Sequence, residues 1–276
     1  NLQNIKWIFG GTEPTAEVAQ KSGIFYKIFN GMEDVDDVIA FLKGRKLSGV
    51  ENYPRDLISR IKYKYPYPIL RHHLGLPSLY ETVESVKQIA EAKVLDVISV
   101  APDQNAQEYF FEQDKMDHRL DGAGGVPLRS KDDFIKLYEA AQRGNYPLLR
   151  CYSGTSNLIP FAQVLQETIK NAWCAVPLCW YNVLDKRGHR PVREAIYENQ
   201  KVMKWHGDRN IPVEVNESHH WSLRDAHDAI GVATAFLAAY NAKKMGVKDY
   251  IAQYMFNVPP SISPKMDIAK MLAKIE

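Results

Sequence analysis

The chain has 276 residues, of which 45% are hydrophobic and 25% charged, enough apolar material for a sizeable core and no sign of a disordered or fibrous composition. Its formal net charge of +2 gives no broad basic field for nucleic acid, and no apolar run approaches the roughly 18 residues of a membrane helix. Three cysteines (Cys151, Cys174, Cys179), odd in number and without a Cys-x-x-Cys pair, suggest neither a disulfide framework nor a zinc ribbon; a reducing cytoplasm is the expected compartment.

Residues 1–65 read as an N-terminal helical extension, with helical patterns over Asp34–Lys43 and Pro54–Lys64 joined by links containing Gly44, Gly49 and Pro54. Tyr65-Pro66-Tyr67-Pro68 then favours extended backbone. From there the chain alternates. The pattern predicts strands over Ile69–His73, Asp96–Ala101, Leu148–Tyr152, Trp173–Tyr181, Ile211–Glu217 and Asp249–Asn257. Between and after them it predicts helices over Ser78–Ala92, Lys131–Arg143, Ser156–Asn171, Val192–Asp208, Ser222–Met245 and Pro264–Ile275. Leu79, Val83, Val86, Ile89 and Ala90 make a 3.6-period stripe on the first of these helices, and Gly144, Gly207 and Gly246 are stop signals.

Strands alternating with helices imply an α/β fold with parallel sheet and right-handed crossovers. An open doubly wound sheet and a (β/α)8 TIM-barrel type both satisfy the pattern. The barrel is favoured because an open sheet leaves bare edges. About six βα units are legible, so the barrel domain, residues 66–276, is expected to be incomplete at its C-terminus.

The strand ends carry the chemistry. They read Cys-Trp-Tyr-Asn at 179–182, Val-Asn-Glu-Ser-His-His at 215–220 and Tyr-Met-Phe-Asn at 254–257. In a barrel all C-terminal strand ends open onto one mouth. Arg71 and Arg150 each follow apolar strand residues and must find an anion: either a structural partner such as Glu217 or Asp103, or a substrate carboxylate gripped by paired arginines. Side chains alternate along a strand, so one of His72-His73 and one of His219-His220 is expected to enter the mouth. With Glu217 they form a candidate divalent-metal set of a lyase or aldolase, His72, Glu217 and His220, or else they hydrogen-bond substrate. Gly122-Ala-Gly-Gly-Val and Phe9-Gly-Gly-Thr lack the context of phosphate loops, and Asp225-Ala-His227-Asp-Ala-Ile-Gly231 is one residue off a cobalt-ligating motif and lies within a helical pattern.

From Arg71 to Gly246 the chain resembles the catalytic epsilon subunit family of glutamate mutase (methylaspartate mutase). The likeness is carried by Arg71, by Arg150 followed by Gly154-Thr155, by Tyr181-Asn182, by Asn210-Ile-Pro-Val-Glu-Val-Asn-Glu217 and by the Ala-rich helix ending Gly246-Val-Lys. The resemblance implies a (β/α)8 barrel, a radical rearrangement driven by adenosylcobalamin bound mainly by a small cobalamin-binding partner subunit, and hence a hetero-oligomer. On this resemblance Arg71, Arg150, Gln107 and Asn182 are expected to bind substrate, and Tyr181 and Glu217 to be catalytic. His219 and His220 join the reacting centre, with Trp180 and Trp221 excluding water. Gln107 stands where the family has its third arginine, and Ala175 near where it has a substrate-binding glutamate, so a small carboxylate other than glutamate is the expected substrate. A barrel kept only as a scaffold for the cobalamin subunit is the alternative from another class.

Overall fold

In the computed structural model the chain divides into two compact units, Asn1–Tyr53 and Pro54–Glu276. The structure describes residues 5–33, 35–44, 53–186, 189–222, 226–254 and 263–276.

The first unit is not purely helical. β1 (Ile8–Gly10) and β2 (Lys27–Phe29) pair in parallel, joined by α1 (Glu13–Ser22), and α2 (Val35–Leu42) follows. A parallel pair needs a crossover, and α1 supplies it, closing with Gly23 in the left-handed conformation at φ 64°. The expected helical extension therefore holds a complete βαβ unit. Its strands are three residues long, too short for a period of two to be read from the sequence.

The second unit opens with α3 (Leu57–Lys64), then β3 (Arg71–Leu74), α4 (Leu79–Ala92), β4 (Val97–Val100), α5 (Gln104–Tyr109), α6 (Lys131–Ala141) and β5 (Leu148–Cys151). It continues with α7 (Leu158–Thr168), β6 (Cys174–Val176), α8 (Val192–Gly207), β7 (Val213–Val215), α9 (Ser218–Ser222), α10 (Asp228–Lys244), β8 (Tyr250–Ile251) and α11 (Pro264–Ile275). Helix starts are chemically specified. Ser78 caps α4 by accepting from Glu81 N, and Ser130 and Asp133 form a capping box on α6.

Every pairing among the described strands is parallel, and strands that neighbour each other in space are consecutive in sequence: β3-β4-β5 and β6-β7-β8. Backbone hydrogen bonds from Ala172 N to Leu149 O (2.9 Å) and Ser153 N to Ala175 O (3.1 Å) tie β5 to β6. The chain is a mixed α/β protein with parallel sheets; the pairings among the described residues do not close into a barrel.

One face of these strands is apolar and carries the helices. Ile98, Val100, Leu149 and Cys151 pack with Val86 of α4, Phe134 and Leu137 of α6, and Phe161 and Leu165 of α7. Cys174, Val176, Val213 and Val215 pack with Leu158, Val202 and Met203, and with Ala238 and Ala242 of α10. Burial of each large apolar side chain in such a layer contributes about 1.5–3 kcal/mol. Val97, Leu148, Ala172 and Trp173 form a separate cluster with Leu57 of α3. There, Arg60 lies fully buried, donating to the carbonyls of Pro54 (3.1 Å), Asn145 (3.2 Å) and Tyr146 (2.8 Å), 3.5 Å from Asp96. It fastens α3 to the N-terminal ends of the strands.

All six expected strands are shorter than the sequence pattern suggests, three of them by more than a residue or two. The one expected over Trp173–Tyr181 stops at Val176, because Pro177 has no N–H for the ladder and the next two amides are drawn elsewhere. The one expected to end at Glu217 gives way after Val215 to the short helix α9, which holds His219 and His220. Of the one expected over Asp249–Asn257, Tyr250–Ile251 is strand and residues 255–257 lie outside the described residues. The helix expected over Ser222–Met245 is α10 alone.

Candidate functional site

Register decides which strand residues meet. His73 stands opposite Ser99, and Ser99 opposite Arg150. Across the second sheet, Ala175 stands opposite Glu214, and Glu214 opposite Ile251. The alternation that sends Ile98, Leu149 and Val213 to the helices sends this row, with Arg71, Tyr152, Asn216 and Gln253 one step along, to the other face.

The row is joined by charge. Arg150, 2% exposed, places Nη2 3.3 Å from each carboxylate oxygen of Glu214, which is 1% exposed. Arg71 Nη1 lies 3.7 Å from Glu214 Oε2, and Trp173 Nε1 donates to the same oxygen at 2.5 Å. Both guanidinium groups sit over the Trp173 ring, at 5.7 Å for Arg71 and 5.6 Å for Arg150. The structural counter-anion of the two arginines is therefore Glu214, not Glu217 or Asp103. Asp103 is taken up by the cap of α5, through Ala106 N, and by Arg129 at 2.6 Å.

A cavity of about 200 Å³ opens at the C-terminal ends of these strands, lined among others by His73, Gln107, Arg150, Tyr152, Tyr181, Glu214, Asn216, His220 and Gln253. Several buried polar atoms around it have no hydrogen-bond partner: Arg150 Nε, Tyr152 Oη, Asn216 Oδ1, Gln253 Oε1 and, in the adjoining row, Ser99 Oγ. Buried polar groups are normally satisfied, so five around one cavity identify the place where a small polar ligand fits. At the rim His73 is held neutral, its pKa pushed down to about 4 by burial and by the Arg150 and Arg71 charges. Burial holds the Tyr152 hydroxyl well above the ordinary phenol range.

Of the sequence-derived candidates, Arg150, Gln107, Tyr181 and His220 come together on this cavity. Gln107 holds its side chain in place by donating to Pro102 O at 2.8 Å. Tyr181 adopts a left-handed backbone at φ 59°, uncommon for a non-glycine residue, with its ring 6.2 Å from that of Tyr152. His220 stacks on Trp180 at 4.6 Å, and Trp180 meets Trp221 edge-on at 5.4 Å. Of the other pair, both side chains are exposed, and His73 is the one that lines the cavity. The side chain of His219 lies outside the described residues.

Glu217 and Asn182 lie behind the cavity wall. Glu217 Oε1 accepts from Leu178 N and, at 2.7 Å, from Cys179 N, while Oε2 accepts from Trp221 Nε1 at 3.1 Å. Burial raises its pKa while these donors oppose the rise. Its carboxylate shapes the turn that carries Tyr181. Asn182, fully buried, accepts from Leu184 N at 2.8 Å and donates its own N–H to Asp185. Arg71 reaches the site through Glu214. Among the described residues no three His, Cys, Asp or Glu side chains are grouped to hold a metal ion, so His72, Glu217 and His220 do not assemble as one. His227 caps α10, its Nδ1 accepting from Ala229 N at 3.1 Å.

Sequence reasoning passed over Glu214, Tyr152, Asn216 and Gln253. Glu214 carried a usable signal, a lone carboxylate between valines in a strand. No helix among the described residues is long and apolar enough to cross a membrane. No protein-family model matches the chain, and no curated protein matches it significantly.

Proposed function

We propose that this chain binds and encloses a small carboxylic acid, as the barrel subunit of a glutamate-mutase-like enzyme that rearranges it. The observation that carries the reading is the buried Arg150 Nε. It is a charge-assisted donor without a partner, on a 200 Å³ cavity at the C-terminal ends of parallel strands. That is the end at which barrel enzymes gather their chemistry. The barrel class is supported by two further features. The second unit has six strands among its described residues, and strand neighbours follow sequence order, where a doubly wound sheet reverses it. Helix-packed residues also alternate with a polar row that includes three charged side chains.

Within the cavity, Arg150 holds the carboxylate and Tyr152, Asn216 and Gln253 offer hydrogen bonds to the rest of the molecule. Tyr181 and the Trp180–His220 stack wall it from water. Glu214 is engaged by two arginines and Glu217 by backbone amides, so the residues bind and shield more readily than they exchange protons. That suits a reaction whose difficult step is supplied by a cofactor. The cavity is smaller than the roughly 300–1,000 Å³ of pockets that enclose drug-sized ligands. A nucleoside-bearing corrinoid does not fit in it beside a substrate. In the glutamate-mutase-like reading adenosylcobalamin belongs mainly to a small partner subunit.

Native purification with mass determination and an ultraviolet–visible spectrum tests the assignment. A corrinoid spectrum with a small second subunit is expected. A colourless protein carrying one divalent cation per chain would replace the assignment with a metal-dependent lyase or aldolase.

A further inference from the structure

We infer that the Arg71–Glu214–Arg150 triad makes this cavity selective for acids with a single negative charge that also carry a hydrogen-bond donor, namely small hydroxy or amino monocarboxylates, and that Glu214 is the residue that sets this selectivity. The inference deepens the carboxylate-binding reading above and rests on it.

Two arginines side by side, one on the cavity and one behind it, would ordinarily suit a dicarboxylate, one guanidinium for each end. Here Glu214 intervenes. Its carboxylate lies within 3.3 Å of Arg150 Nη2 and 3.7 Å of Arg71 Nη1, and Trp173 Nε1 holds it in place. One of the two positive charges is thereby neutralised within the protein, leaving an excess of one. Arg71 Nη1 and Arg150 Nη2 face Glu214; Arg71 Nη1, at 3.7 Å, makes no hydrogen bond to it but does not line the cavity, so the guanidinium donor without a partner on the cavity itself is Arg150 Nε. A second ligand carboxylate would meet no free guanidinium charge and would lie near a buried carboxylate instead. Like-charge juxtaposition of that kind is a device for rejecting the wrong ligand.

The rest of the lining gives the second half of the specificity. Asn216 and Gln253 each have a buried oxygen without a partner, and the Tyr152 hydroxyl both donates and accepts. These groups are satisfied by a ligand that donates, an alcohol or an ammonium, and are left unsatisfied by a plain fatty acid. A site built around buried polar groups discriminates strongly against an analogue that cannot pair with them. His73, neutral at the rim, adds no charge to the sum.

Titration calorimetry on the whole chain tests this with lactate, alanine, propionate, succinate and glutarate as probes, alongside the Arg150→Met variant. Lactate or alanine is expected to bind at least about tenfold more tightly than succinate, glutarate or propionate. Glu214→Gln is expected to reverse the order by favouring the dicarboxylates. Because that variant removes a buried partner, the wild-type ranking stands as a measurement that needs no mutant. Dicarboxylates binding wild type as tightly as lactate or alanine would overturn the inference and leave the carboxylate site intact. So would propionate binding as tightly. If no probe binds wild type, or Arg150→Met binds all of them unchanged, the carboxylate reading falls and the inference with it.

Discussion

Replacing Glu214 by glutamine should cost more than its local hydrogen bonds suggest. Arg150 is 2% exposed, and its partner carboxylate is 1% exposed. The amide that replaces it keeps an oxygen for Trp173 Nε1 but no charge for either arginine. Two cations then share the Trp173 ring, at 5.6 and 5.7 Å, without an anion between them. Breaking one side of a buried ion pair typically costs about 3–5 kcal/mol, because the remaining charge stays desolvated. In a unit of this size each kcal/mol lowers the midpoint by about 2–4 °C, so a fall of about 6–20 °C is expected. Thermal unfolding followed by near-ultraviolet circular dichroism, paired with urea titration, measures it. The double variant Arg150→Met/Glu214→Gln should recover much of the loss, because the buried cation is gone and only Arg71, whose side chain is partly exposed, is left without its anion. A single variant that loses less than about 1 kcal/mol would refute the view of Glu214 as the structural anion of the row.

Arg60→Met should destabilise the second unit by about 3–5 kcal/mol in urea titration, since the Asn145 and Tyr146 carbonyls lose their donor and Asp96 its buried cation. His206 is fully buried, with Nδ1 against Val202 O at 2.8 Å and Nε2 without a partner, and burial lowers its pKa to about 4. The unfolded chain takes up this proton near pH 6.5 and the folded chain only near 4, so stability should fall as pH drops from 6.5 to 4 and level off below. A shift of this size is worth up to about 3 kcal/mol, and His206→Phe should flatten that part of a pH–stability profile measured by urea midpoints. Glu217→Gln turns one acceptor into a donor that faces the Leu178 and Cys179 amides or Trp221 Nε1. A loss of about 1–3 kcal/mol is expected, with faster hydrogen exchange at Leu178 and Cys179; unchanged exchange would show that the turn does not depend on this carboxylate.

Much of the second unit was legible in one dimension. Helix stripes, Ser caps and apolar strand runs are local, and local patterns located α4, α6, α7, α8 and α11 to within a few residues. The phase of a strand also showed that one histidine of His72-His73 would face inward. What alternation cannot supply is the identity of a partner across the sheet. Arg150 finds its anion 64 positions away, on a strand chosen by the order of pairing. The candidates the sequence offered, Glu217 and Asp103, are consumed by backbone amides and by Arg129.

The same division holds at the chain's start and at the ends of the strands. β1 and β2 are only three residues each, and such strands exist because a neighbouring strand supplies their hydrogen bonds. His219 and His220 read as a strand end because Val213-Glu-Val-Asn-Glu217 alternates. Tertiary structure instead stops the strand at Val215 and coils the next residues into α9, presenting His220 to the cavity. The sequence by itself determined which segments could be helix or strand and which face of each is apolar, since both follow from backbone period and side-chain solvation. Which charges meet, which carboxylate pairs with the arginines and which polar atoms are left facing a cavity were decided only when distant strands came into register. A desolvated charge takes whatever partner the fold brings within reach.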